Sequence, residues 1–271
     1  MSAGGAEAFT GLGEVYSRAR PGYPEACYAL LEQAVGGSGA AAGDAAGSER
    51  DAAEAGAAVV ADIGAGTGKL TAGLLERGWQ VTAVEPNPDM LGQLEAHLGG
   101  RPGLRTLQMP AESTSLADGS VDLVTVAQAF HWFDARAFRE ECRRILAPGG
   151  QVAIIWNFRR AEEPSIRQTV EAFREHASGF VALTLGETVT QEDLAEFFGP
   201  GGCSHAVFDN DEDLDRETYL GRYLSTSYFP KEGDPGRAPL IAELERIFDE
   251  HSTDGVYRFP NATHVYLGSL S

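Results

Sequence analysis

The 271-residue sequence predicts a doubly wound α/β fold on a mostly parallel sheet. Three observations predict it. Short apolar runs rich in β-branched residues alternate with amphipathic segments of helical length between residues 58 and 157. The first run ends in a glycine-rich turn that opens a helix. The segments between runs are long enough for right-handed helical crossovers, which parallel strands require.

Ala58-Val59-Val60-Ala61-Asp62-Ile63 suits a strand buried on both faces. Lys69 to Arg77 carries Leu70, Leu74 and Leu75 at helical spacing, and Gly78 stops it. Gln80 to Val84 is a second strand. Pro88 to Leu98 is a helix opened by its proline. Leu104 to Gln108 and Val121 to Val126 are the third and fourth strands. Ala135 to Leu146 is a helix with Phe138, Cys142 and Ile145 on one face, closed by Pro148-Gly149-Gly150. Gln151 to Trp156 is the fifth strand.

Beyond Asn157 the rhythm loosens. Ile166–His176, Gln191–Phe198, Arg216–Leu224 and Pro239–His251 read as helices. Cys203–Phe208 and Val265–Leu267 read as strands, and the acidic run Asp209 to Asp215 as a solvated loop. Four segments follow: an N-terminal helical part (1–35), a flexible Gly/Ala-rich loop (36–57), a core (58–157), and a remainder (158–271) with further core strands and helical insertions. The loop holds no large apolar side chain to offset its ordering entropy.

Composition narrows the function classes. Hydrophobic residues make up 43%, as in globular domains. The net charge of −19 argues against a nucleic acid partner, whose phosphates demand Lys and Arg, and against an anionic membrane surface. It leaves room for an acidic small substrate, since a pocket can differ in sign from the surface. Cys27, Cys142 and Cys203 are too scattered for a disulfide framework or a zinc site, and no metal is expected. No apolar run approaches the ~18 residues of a membrane span. The start Met1-Ser2-Ala3-Gly4-Gly5 lacks a basic, then apolar, leader. A cytoplasmic location is expected.

The informative turn is Asp62-Ile63-Gly64-Ala65-Gly66-Thr67-Gly68. Ligands of such sheets bind beyond the carboxyl ends of the strands. A dinucleotide fingerprint needs Gly-x-Gly-x-x-Gly, and Gly68 comes one residue early. A phosphate loop needs Ser or Thr after Gly-Lys, and Leu70 follows Lys69. A Gly-x-Gly-x-Gly turn of the type that binds S-adenosylmethionine fits without correction. Glu85 lies 21 residues after Gly64, at the end of the second strand. An acid near that spacing can accept hydrogen bonds from ribose hydroxyls. Alone, it reads equally as a solvated strand-end charge.

The segments Val60 to Gly68, Val84-Glu85-Pro86-Asn87-Pro88-Asp89-Met90-Leu91, Ala111-Glu112 and Leu146-Ala147-Pro148-Gly149-Gly150 resemble the successive motifs of class I S-adenosylmethionine-dependent methyltransferases. Tyr16-Ser17-Arg18-Ala19-Arg20-Pro21-Gly22-Tyr23-Pro24 and Ala127-Gln128-Ala129-Phe130-His131-Trp132-Phe133 are similar to the type 11 group that includes trans-aconitate methyltransferase-like enzymes. The resemblance implies a Rossmann-like, seven-stranded sheet. It also implies a mainly helical cap drawn from the N-terminal segment and the second half.

By that resemblance, S-adenosyl-L-methionine is the cofactor, S-adenosyl-L-homocysteine its product, and a small molecule the acceptor, with oxygen the favoured atom. Asp62 would belong to the cofactor site, and Gly64, Ala65 and Gly66 would line the methionine and ribose part. Glu85 would hold the ribose diol, and Pro86 and Met90 would flank the adenine. Ala111 and Glu112 would lie near the adenine amino group. Ala127 and Gln128 would sit beside the methionyl chain. Tyr16 and Arg20 would close over the cofactor, with Arg20 on its carboxylate. His131 is the candidate general base, because imidazole titrates near neutrality. His131, Trp132, Arg222 and Tyr223 are the candidate substrate contacts, Arg222 as an anion contact or an exposed surface charge. A nicotinamide oxidoreductase and a non-methylating S-adenosylmethionine-binding relative are the competing readings. The oligomeric state is not encoded in any motif.

Overall fold

A computed structural model describes residues 22–38, 57–178, 180, 189–226 and 228–270. In chain order the elements are α1 (Glu25–Ser38), β1 (Val59–Ile63), α2 (Lys69–Glu76), β2 (Gln80–Val84), α3 (Pro88–Leu98), β3 (Leu104–Leu107) and β4 (Val121–Ala127). A short 3-10 turn (Phe130–Trp132) follows, then α4 (Ala135–Ile145), β5 (Leu146–Arg159), α5 (Pro164–His176), α6 (Gln191–Phe198) and β6 (Ser204–Asp209). The chain continues through β7 (Glu212–Leu214), α7 (Arg216–Leu224), α8 (Arg237–His251), β8 (Ser252–Thr253), β9 (Val256–Phe259) and β10 (Asn261–Gly268).

Seven strands form one sheet in the order β3-β2-β1-β4-β5-β10-β6. The first five are parallel, and β10 runs antiparallel to both neighbours. The order reverses between β1 and β4, so the crevice beyond their carboxyl ends is a topological switch point. The sheet is covered on both faces, as its apolar strands require. Val152, Ile154 and Trp156 pack with Phe138, Cys142 and Ile145 of α4 and Phe197 and Phe198 of α6. Ala153 and Ile155 pack on the other face with Leu31 of α1, Leu74 of α2 and Leu94 of α3. The helix α1 is therefore part of this covering layer.

A third apolar cluster joins α5, α7 and α8 to a small antiparallel sheet, β7-β9-β8. Its centre is Phe173, Tyr219, Tyr223, Phe248, Tyr257 and Phe259. The expected cap thus carries a sheet as well as helices. The acidic run does not behave as a solvated loop, which corrects the sequence reading. Residues 212–214 form β7, and Asp211 is ion-paired to Arg160 and, at 2.9 Å, to Arg258. Those partners lie roughly 50 residues away in the chain, so no local pattern announces them.

Two strands are longer than the sequence suggests. β10 begins at Asn261 because it pairs along its length with β5 and along most of it with β6, so polar positions such as Asn261 and Thr263 have ladder partners. β5 begins at Leu146, with a register irregularity against β4 that absorbs Pro148-Gly149-Gly150. Among the described residues, no helix is long and apolar enough to cross a membrane.

Candidate cofactor and active site

The glycine turn leaves β1 and folds back onto the end of β2. The N–H groups of Gly64 and Ala65 both donate to the Val84 carbonyl, at 2.8 and 3.1 Å. Gly64, Gly66 and Gly68 have φ values of 70°, 57° and 85°, a left-handed region where a side chain is strained. A Cβ on Gly64 would lie 2.6 Å from the Ala129 Cβ and 3.1 Å from the Phe133 ring. Gly66 differs: a Cβ there would meet only the Met90 sulfur, at 4.0 Å. That side of the turn is a bare backbone surface facing Met90.

Glu85, 7% exposed, ends the neighbouring strand. Its carboxylate accepts from the Gly66 N–H and the Asn87 N–H, each at 2.9 Å. The turn and the acid thus converge on one crevice. Burial pushes the Glu85 carboxyl above its ordinary value, against the opposing pull of these two N–H groups. Asn87 then caps α3, its side chain accepting from the Asp89 and Met90 N–H groups. This cap fixes Met90 (buried) beside the turn, and Pro86 (half-buried) precedes it.

Asp62 lies beneath the turn, 1% exposed. Its two oxygens accept from the Thr71 hydroxyl at 2.6 Å and the Thr125 hydroxyl at 2.9 Å. It ties β1, α2 and β4 together below the crevice. Ala111 is buried after β3, and the Glu112 carboxylate accepts from the Asp134 N–H at 3.0 Å.

At the end of β4, Ala127 is half-buried and Gln128 adopts φ 58°, uncommon for a residue with a side chain. Such conformations cost about 1–3 kcal/mol and cluster at functional sites. Gln128 donates through its N–H to the Ile155 carbonyl at 2.9 Å and through Nε2 to the Asn157 carbonyl at 3.3 Å. The following turn carries His131, half-buried, and Trp132, 38% exposed. Phe133 comes back against Gly64, so His131 stands two residues from a direct contact with the glycine turn.

Tyr16 and Arg20 lie outside the described residues, as does most of the Gly/Ala-rich segment. Arg222 and Tyr223 are in the cap. Arg222 is only 7% exposed, and its guanidinium pairs with Glu212 at 2.7 Å and sits over the Phe259 ring. The expectation of a surface charge is corrected: the charge is buried and already neutralised. Tyr223 is fully buried in the cap's core.

Two residues at this edge escaped the sequence reading. Asn157 ties β5 to its surroundings: its Oδ1 accepts from Thr263 at 2.6 Å and Asn210 at 3.2 Å, and its Nδ2 donates to the Gly22 carbonyl. Arg159 ends the same strand. The signal was present in Asn157-Phe158-Arg159-Arg160, polar and basic residues at the carboxyl end of an apolar strand.

A bare glycine turn, a buried acid at the next strand end and the switch-point sheet define the class I S-adenosylmethionine-dependent methyltransferases. Comparison with known proteins agrees. The methyltransferase-domain family matches residues 61–154. An uncharacterized methyltransferase-like protein of Schizosaccharomyces pombe is 33% identical over 193 residues, 70% of this chain and 72% of that protein. An uncharacterized methyltransferase of Mycobacterium tuberculosis is 50% identical over 100 residues, 37% of this chain and 40% of its relative. The match thus spans about two fifths of that relative's length. A solved candidate type II methyltransferase from Anaeromyxobacter dehalogenans has the same fold, with TM-score 0.58 at 21% identity, over 93% of this chain and 98% of that one. The chain belongs to the S-adenosylmethionine-dependent methyltransferase family.

Proposed function

We propose that this methyltransferase methylates a small-molecule acceptor, preferentially at oxygen, in the crevice beyond β1, β2, β4 and β5. The observation that carries the reading is the Gly66–Glu85 contact, which puts a carboxylate beside a bare stretch of backbone. When bound, S-adenosylmethionine would supply an activated methyl group on a sulfonium, held by Gly64, Ala65, Gly66 and Glu85.

The protein's part is to bind, orient and exclude water. Gly64, Ala65 and Gly66 would line the methionine and ribose part, Gly66 as bare backbone, and Glu85 would accept from the ribose diol. Met90 and Pro86 flank the adenine, with Ala111 and Glu112 at its edge. Ala127 and Gln128 border the methionyl chain. Asp62 supports the turn from below. Positioning of this kind contributes roughly 7–11 kcal/mol to such transfers. For a hydroxyl acceptor, His131 takes the proton; a carboxylate acceptor needs no base.

Calorimetry with S-adenosylmethionine, S-adenosylhomocysteine and NAD tests the donor half. Binding of the first two and not NAD is expected; the reverse pattern would defeat the reading. Transfer of isotope-labelled methyl groups into a metabolite extract, followed by mass spectrometry, tests the acceptor half. A labelled small metabolite is expected. Label confined to protein or nucleic acid would overturn the small-molecule assignment.

A further inference from the structure

The last two strands of the main sheet bring a pair of imidazoles together. His205 on β6 and His264 on β10 are 59 residues apart in the chain, yet His205 Nε2 lies 3.1 Å from His264 Nδ1. The ladder explains the meeting. His205 is opposite Tyr266 and His264 is opposite Val207, so all four side chains share one face of the sheet. Diagonal neighbours on one face are within reach of long side chains. Ligand spacings read from sequence do not extend that far, so no motif announces the pair.

Both rings are held in place, and both can be reached. The Tyr266 ring stacks on His205 with centroids 4.3 Å apart and an interplanar angle of 2°. Phe158 of β5 meets His264 edge-on at 5.0 Å. His205 is exposed, His264 is half-buried, and Val207 beside them is 53% exposed. A metal about 2.0–2.1 Å from each nitrogen would see their 3.1 Å separation at about 100°. That angle falls between the ~90° of octahedral or square-planar shells and the ~109° of tetrahedral ones. The contact between the rings is a single hydrogen bond near solvent, and such a bond is a weak competitor for a metal. The ring that carries the facing N–H releases that proton to water and takes one on its other nitrogen, so two lone pairs face the ion with no change of charge.

We propose that His205 and His264 form a two-point chelate for a late first-row divalent metal ion, Ni²⁺, Cu²⁺ or Zn²⁺. Among the described residues no third His, Cys, Asp or Glu completes a larger ligand cluster, so water fills the rest of the shell. Imidazole selects these ions, whereas Mg²⁺ and Ca²⁺ prefer oxygen ligands. The net charge of −19 draws cations of every kind to the surface, and the two imidazoles add selectivity to that attraction. β6 is the edge strand, so a metal across the pair would fasten the edge of the sheet to β10. The chelate is independent of the cofactor site.

Calorimetric titration of the full chain with Ni²⁺ and, separately, with Mg²⁺ tests the chelate, with thermal unfolding followed in each metal. Ni²⁺ should bind and raise Tm, and Mg²⁺ should bind at least about tenfold more weakly. His205→Ala and His264→Ala should each weaken Ni²⁺ binding at least about tenfold and remove most of the rise in Tm. His205 is exposed, so His205→Ala carries the decision if His264→Ala fails to fold. Unchanged Ni²⁺ affinity in His205→Ala would overturn the chelate and assign the ion to another histidine or to a thiol. No Ni²⁺ binding, or equal binding of Mg²⁺, would overturn it as well. In the wild-type chain, Ni²⁺ should broaden the His205 and His264 imidazole NMR signals first, and broadening confined to other histidines would reject the pair without recourse to a variant.

Discussion

The Asp62 carboxylate accepts a 2.6 Å hydrogen bond from the Thr71 hydroxyl, wholly inside the protein, and this contact joins the first strand to the helix that the glycine turn opens. Burial pushes the Asp62 carboxyl up to about 6, against the hydrogen bonds from Thr71 and Thr125. Between about pH 4 and 6 the folded chain then binds more protons here than the unfolded chain, so this group's contribution to stability falls as pH rises through that window. The change is about 3 kcal/mol across it. Asp62→Asn keeps the shape and removes the titration. Urea unfolding at several pH values should show the wild type losing stability relative to this variant from pH 4 to 6. A constant difference would rule out the raised carboxyl.

The approach of Ala129 to the glycine turn makes Gly64→Ala a severe change. The new methyl would sit 2.6 Å from the Ala129 Cβ, on a backbone at φ 70°. Left-handed strain of about 1–2 kcal/mol adds to an overpacking cost of about 1–3 kcal/mol. Thermal unfolding should report a loss of roughly 2–5 kcal/mol, with S-adenosylmethionine binding at least about tenfold weaker. Wild-type stability and affinity would mean the turn is looser than its contacts indicate.

Glu85→Ala should weaken S-adenosylmethionine binding at least about tenfold by calorimetry, since charge-assisted hydrogen bonds are worth roughly 1.5–3 kcal/mol each. It also strips the Gly66 and Asn87 N–H groups of their acceptor. Glu85→Gln, which keeps one acceptor oxygen, should fall between the two. Unchanged affinity in the alanine variant would remove Glu85 from the ribose site.

His131→Ala should lower turnover about a hundredfold on a hydroxyl acceptor while leaving S-adenosylmethionine affinity within about twofold, the pattern of a lost general base. Near-normal turnover would make His131 a wall of the pocket.

Much of this molecule was legible locally. β2, α3, α6 and α7 have the limits that apolar spacing, proline and capping residues suggested. The pairing of Gly66 with Glu85 was legible as a spacing, because strand, helix and strand have standard lengths that return the chain to the same edge. The cap was far less so. β7, β8 and β9 are two to four residues long and too polar or too short to show a period. Arg222 read as a surface or anion-contact residue because its partner Glu212 and the Phe259 ring meet it only through folding.

The sequence by itself determined the parallel core and the backbone form of the turn at its edge, since both follow from periodicities and backbone freedoms expressed within about twenty residues. Only the tertiary structure decided which charges are spent on one another. Asp211 with Arg160, and Glu212 with Arg222, are pairings made across ten to fifty residues. A side chain's neighbours at that range are set by how the layers pack, and no local pattern carries that information.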